Sequence, residues 1–115
     1  MPMVMSIVGK SKVGKTTFLE KLISEMRKRG YRVGTLKHDA HDHFEMDYEG
    51  KDTWRHARAG ADSVVLASAE RLAFIKALAF EMTPDEIRQQ FFQDVDVIIA
   101  EGYKGYAYPK IEVFR

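Results

Sequence analysis

The feature that most constrains this chain is residues 9–16, GKSKVGKT. Here Gly9, Gly14, Lys15 and Thr16 satisfy the pattern G-x-x-x-x-G-K-S/T. The spacing has a physical reason. Two glycines let the backbone turn tightly and bring successive N–H groups towards one point. A helix that starts at Thr16 directs the positive end of its dipole at the same point. From there Lys15 reaches the β- and γ-phosphates of a nucleotide, the Thr16 hydroxyl ligates Mg²⁺ and Thr17 hydrogen-bonds the α-phosphate. Such a loop needs a strand before it and a helix after it, and the sequence offers both. An apolar run over residues 3–8 stops at Gly9. Over residues 16–29, Phe18, Leu19, Leu22, Ile23 and Met26 share one helical face, opposite Glu20, Lys21, Glu25 and Lys28. Gly30 stands where that helix should end.

The rest of the pattern extends this unit into a layered fold. Residues 31–36 read as a second strand, and 37–52 as a long polar loop rich in His and Asp. Residues 53–59 read as a short helix anchored by Trp54 and closed by Gly60. Residues 63–67 and 72–78 form two strands so close in sequence that they must pair as an antiparallel hairpin. Thr83, Pro84 and Glu86 form a capping box that opens a helix running to about Phe92. Residues 95–100 are almost wholly apolar, as in a parallel strand buried on both faces, and 110–114 read as a last strand. Strands alternating with helices predict an α/β protein, P-loop NTPase-like, with a mostly parallel sheet flanked by helices and an antiparallel hairpin. With 115 residues, the chain is expected to form a single nucleotide-binding domain over 1–115.

Composition removes several classes. Lys and Arg total 18 against 17 Asp and Glu, a balance that argues against wholesale nucleic-acid binding. There is no cysteine, hence no disulfide, thiol nucleophile or Cys-based zinc or iron–sulfur site, and the expected location is the cytoplasm. No apolar run approaches the ~18–20 residues needed to span a bilayer, and the amino terminus lacks the basic region of a signal peptide.

Two acids join the loop. In a parallel sheet, ligands bind beyond the carboxyl ends of the strands, and Glu101 follows the buried strand at that edge. Asp96 opens the same strand, roughly 16 Å away at 3.3 Å per residue. Glu101 is therefore the candidate to position Mg²⁺ or an attacking water; the bland alternative is an ion pair with Lys104. Asp39 lies just past the second strand at the same edge and is a second candidate for Mg²⁺ through water. His38, Asp39, His41, Asp42 and His43 also have a spacing compatible with Zn²⁺ or Ni²⁺, although a solvated polar loop has the same composition.

The loop GKSKVGKTT, the stretch GTLKHDAHDHFEMDYEGKDTWRHARAGAD and the strand exit EGYK together resemble the MobB family, the adaptor proteins of molybdopterin-guanine dinucleotide biosynthesis. The resemblance spans nearly the whole chain, and its middle stretch is more specific than the loop. It implies a homodimeric GTP-binding protein with weak GTPase activity. It also implies a partner guanylyltransferase, MobA, that attaches GMP to molybdopterin. Carried over residue by residue, nucleotide binding falls on Gly9, Lys10, Ser11, Lys12, Val13, Gly14, Lys15, Thr16 and Thr17. Mg²⁺ falls on Thr16, Asp39 and Glu101, and the catalytic groups are Lys15 and Glu101. The family continues past the counterpart of Phe114 with at least one more strand and helix, so this chain is read as short at its carboxyl end. Lys10 and Lys12 stand where mostly neutral residues are expected. Lys10 occupies the position of an extra lysine that, in related dimeric ATPases, reaches the other subunit's nucleotide. No Gln or Arg is evident to place a water for in-line attack, so hydrolysis is expected to be slow. Two other readings stay open on the residues alone. One is a metallochaperone-type GTPase using the His-rich loop, and the other a P-loop small-molecule kinase.

Overall fold

The apolar run at the amino terminus forms β1 (Met3–Val8), and the amphipathic segment after the loop forms α1 (Lys15–Lys28). They are followed by β2 (Val33–Lys37), α2 (Asp52–Arg58), β3 (Ser63–Ala67), β4 (Leu72–Lys76), α3 (Pro84–Phe91), β5 (Val97–Glu101) and β6 (Lys110–Glu112). The computed structural model describes residues 2–9, 14–39, 52–103 and 105–113. Two compact units result: residues 1–41 with 83–115, and residues 42–82.

The first unit holds a four-stranded sheet in the order β2–β5–β1–β6, with every pair parallel. Register puts Val4 opposite Ile98, Gly34 opposite Ile98 and Leu36 opposite Ala100. These residues share one face, where Val4, Ile98, Ala100 and Tyr103 are buried and Leu36, Phe92, Val95 and Tyr108 pack against them. The alternate residues Ile7, Val97 and Ile99 are buried on the opposite face. Burial on both faces is why β5 is an unbroken apolar run and not an alternating one. Gly34 makes room for this packing, because a Cβ there would lie 2.5 Å from the Phe92 ring.

Local chemistry sets the ends of the elements. At the end of α1, Gly30 N–H donates to Arg27 O and Tyr31 N–H to Met26 O, the paired bonds of a Schellman motif. Tyr31 is thereby part of the helix cap. Arg32 donates from its backbone N–H to Asp96 Oδ2 at 2.7 Å, and Asp96 N–H returns to Arg32 O at 2.8 Å. This exchange explains why β2 starts at Val33 and β5 at Val97, each two residues later than the apolar pattern suggests. α1 lies against β2. α3 has the expected capping box: Glu86 N–H donates to Thr83 Oγ1 and Thr83 N–H to Glu86 Oε1.

In the second unit, β3 and β4 form the expected antiparallel pair, with Val64 opposite Ile75 and Val65 opposite Phe74. Ser68 closes the turn, accepting at Oγ from Arg71 N–H at 3.1 Å. β4 ends at Lys76, short of the expected Leu78. α2 packs on β3, and the Arg58 guanidinium lies 5.7 Å from the centre of the Trp54 ring one turn earlier. Val64 is buried, whereas Val65, Leu72 and Phe74 form an exposed apolar face. Among the described residues, no helix is long and apolar enough to cross a membrane.

Candidate nucleotide-phosphate site

Three parallel strands end together. Glu101 at the end of β5 is in register with Ile7 on one side and with Lys37 on the other. Gly9, Glu101 and Asp39 therefore reach one edge of the sheet, as the sequence leads one to expect. Asp96 sits at the other end of β5. There the Arg32 backbone N–H, with its guanidinium 3.4 Å away, holds the carboxyl below its ordinary range.

Lys15, the first residue of α1, reaches back across this edge. Its Nζ lies 3.2 Å from Gly9 O and 3.3 Å from Glu101 Oε1. Only 18% of the lysine side chain and 20% of the glutamate side chain are exposed, so the pair is largely shielded from water. Gly9 can only be glycine: its φ is +156°, and a Cβ would meet Val113 O at 2.5 Å. That approach packs the start of the loop against the chain leaving β6, where Val113 N–H donates to Val8 O.

Gly14 caps α1 in a left-handed conformation, and its carbonyl accepts from Phe18 N–H at 2.9 Å. No side chain caps this helix, and no acid occupies its first turn. The N-terminal amides of α1 thus receive no side-chain cap from Gly14, and Thr16 and Thr17 in the first turn are exposed. Lys10, Ser11, Lys12 and Val13 lie outside the described residues, as do Lys104, His41, Asp42 and His43.

The ends of β2 and β5 stay joined beyond the strands. His38 N–H donates to Glu101 O at 2.9 Å. Gly102, at φ +97°, allows an approach in which a Cβ would lie 3.1 Å from His38 O. This clamp holds Asp39 and Glu101 on neighbouring strand ends. The side-chain oxygens of Thr16, Asp39 and Glu101 are hard donors of the kind Mg²⁺ takes, and Mg²⁺ ordinarily completes its shell with water and phosphate oxygens. The chemistry of these donors thus fits Mg²⁺. Among the described residues, no group of three or more His, Asp or Glu is arranged to hold a metal ion by itself.

An aromatic ladder leaves the same edge. The His38 ring lies 5.0 Å from that of buried Tyr103, which meets Tyr106 edge-on at 5.7 Å; Tyr106 stacks on Tyr108 at 6.2 Å. Tyr108 donates to Asp85 Oδ1 on α3 at 2.8 Å. Sequence reasoning missed this ladder, whose signal was three tyrosines in one short Gly-containing loop. It also missed that Glu101 pairs with Lys15. Both residues were expected at the same edge, but no local pattern links them.

A parallel sheet ordered β2–β5–β1–β6, with the sequence GKSKVGKT joining its β1 strand to the first helix, defines a P-loop-like α/β protein. Comparison with known proteins narrows the class. A family model described as "Molybdopterin guanine dinucleotide synthesis protein B" matches residues 4–115, and the chain belongs to this MobB family. The molybdopterin-guanine dinucleotide biosynthesis adapter protein of Haemophilus influenzae is 41% identical over 113 residues, covering 97% of this chain and 63% of that protein. Its Escherichia coli K12 counterpart is 38% identical over 113 residues, covering 91% and 61%. Among solved structures, Bacillus subtilis MobB matches with a TM-score of 0.78 at 31% identity, over 98% of this chain and 68% of that one. A crystal structure of molybdopterin-guanine biosynthesis protein B matches with a TM-score of 0.77 at 33% identity, over 96% and 67%. The chain spans under two thirds of the length of these curated relatives.

Proposed function

We propose that this chain is a GTP-binding adaptor in molybdopterin-guanine dinucleotide synthesis. In this reading it assists a partner guanylyltransferase of the MobA kind that joins GMP to molybdopterin. The observation that carries the reading is the position of Lys15. Its amine, on the first residue of α1, lies between the Gly9 carbonyl and the Glu101 carboxylate that ends β5. The names of the relatives support the pathway.

In this reading the loop and the first-turn amides of α1 bind the phosphates, and Lys15 neutralises their charge. Thr16, Asp39 and Glu101 hold Mg²⁺, which supplies charge compensation when bound. Glu101 is also the group that orients water for slow hydrolysis. The exposed apolar face of the β3–β4 hairpin, with Val65, Leu72 and Phe74, supports a homodimer. The reading locates this work in the cytoplasm. Among the described residues, no observation favours the metallochaperone or the kinase reading; His41, Asp42 and His43 lie outside them.

Calorimetric titration with GTP and Mg²⁺ tests the assignment. Lys15→Ala removes a charge-assisted contact worth about 1.5 to 3 kcal/mol, so affinity should fall at least tenfold. Unchanged affinity in the variant counts against it. Competition with ATP checks the guanine preference.

A further inference from the structure

The crossover from β5 to β6 holds more chain than its span requires. It passes one strand, β1, and β5 ends level with Ile7 while β6 starts level with Ser6. Its ends therefore lie about 10 Å apart, close to two strand spacings. Residues 102–109, fully extended, reach roughly 26 Å at 3.3 Å per residue. Connectivity thus does not fix where the chain re-enters the sheet; side chains do. The Tyr103 ring is buried in the core. The Tyr108 hydroxyl donates to Asp85 Oδ1 on α3 at 2.8 Å, and the Arg88 guanidinium holds the same oxygen at 2.9 Å. The Lys110 ammonium donates to the carbonyls of Tyr106 and Tyr108.

Tyr108 stands beside the point of re-entry. The carbonyl of Pro109, the next residue, accepts from Ser6 N–H at 2.8 Å and seats β6. That strand has three residues and a single neighbour, so its own ladder holds its register weakly. The chain leaving β6 then meets the start of the phosphate loop. Val113 N–H donates to Val8 O, and the Val113 carbonyl is so near Gly9 that a Cβ there would meet it at 2.5 Å. Gly9 O is in turn the acceptor for Lys15 Nζ at 3.2 Å. We propose that Tyr108 is a positioning residue for the phosphate site: its hydrogen bond to Asp85 fixes the entry into β6, and β6 fixes Gly9 and with it the lysine amine. Tyr108 acts through the backbone and not on the ligand. The proposal rests on the nucleotide reading above and adds a residue to it.

Five proteins test this: the wild type, Tyr108→Phe, Asp85→Ala, Asp85→Asn and the double variant Tyr108→Phe/Asp85→Ala. Each is titrated with GTP and Mg²⁺ in a calorimeter, unfolded in urea and followed by hydrogen exchange at the Val113 amide. Phenylalanine removes only the hydroxyl. Alanine removes its acceptor, whereas asparagine keeps an oxygen that accepts. Tyr108→Phe and Asp85→Ala should each weaken GTP about fivefold, the scale of one net hydrogen bond, and should speed exchange at Val113. Asp85→Asn should stay within about twofold of the wild type. The double variant should bind no more weakly than either single one, because both changes remove the same bond. A lower urea midpoint with unchanged GTP affinity would mean that the bond serves stability alone, which overturns the proposal and leaves the nucleotide reading intact. Weakening in Asp85→Ala without weakening in Tyr108→Phe would assign the effect to Arg88 and overturn it as well. Failure of the wild type to bind GTP overturns both.

Discussion

Tyr108 shows how strongly one side chain can feel this fold. Partial burial and the hydrogen bond to Asp85 push its hydroxyl up to about 12, from an ordinary value near 10. The folded state therefore favours the protonated phenol. Its contribution to stability is complete below the unfolded value near 10 and disappears as pH rises through about 12. Ultraviolet titration should reveal a late-ionising tyrosine that vanishes in Tyr108→Phe. Ionisation of every tyrosine near 10 would contradict this environment. Asp96 has the opposite sense. Its carboxyl is held low by Arg32, so what it contributes is present above the ordinary carboxylate range and is lost as pH falls through its folded value.

At the level of elements, caps govern where helices begin and end. α3 is short and exposes most of its surface, so its start depends on the reciprocal bonds between Thr83 and Glu86. Thr83→Ala should cost about 1 kcal/mol. Urea unfolding would register this as a lower midpoint with an unchanged slope. These caps were also the most legible part of the sequence. Thr83, Pro84 and Glu86 announce one helix start, and Gly30 and Gly60 each announce a helix end. The strand starts were less legible, because Val95 and Tyr31 look like strand residues but serve the core and a helix cap. The site divides in the same way. Lys15, Gly9 and Glu101 could each be assigned to the ligand edge from their local context. The contact between Lys15 and Glu101 could not, because it depends on which strand is inserted beside β1.

For the molecule as a whole, the sheet is built on two inner strands, β5 and β1, of which β5 is the more completely buried. β5 is bonded on both sides, and Val97, Ile98, Ile99 and Ala100 are all buried, whereas β2 and β6 each have one partner. Native-state hydrogen exchange should therefore find its slowest amides at Ile98, Ile99 and Ala100. Faster exchange there than in β6 would contradict this strand order. The second unit, residues 42–82, interrupts the first in sequence, so the two halves of the sheet come from either side of an insertion.

The strand order also has a consequence for synthesis. β1 and β2 are made early but never touch, because the space between them belongs to β5. A growing chain still attached to the ribosome thus has the β1 and β2 segments without the strand that pairs with both, and Lys15 without Glu101. Only when residue 101 has left the exit tunnel can the missing strand slide in. Translation itself then times the birth of the ligand edge, and a ribosome stalled before that point leaves a nascent chain with both strand edges open to stray pairing.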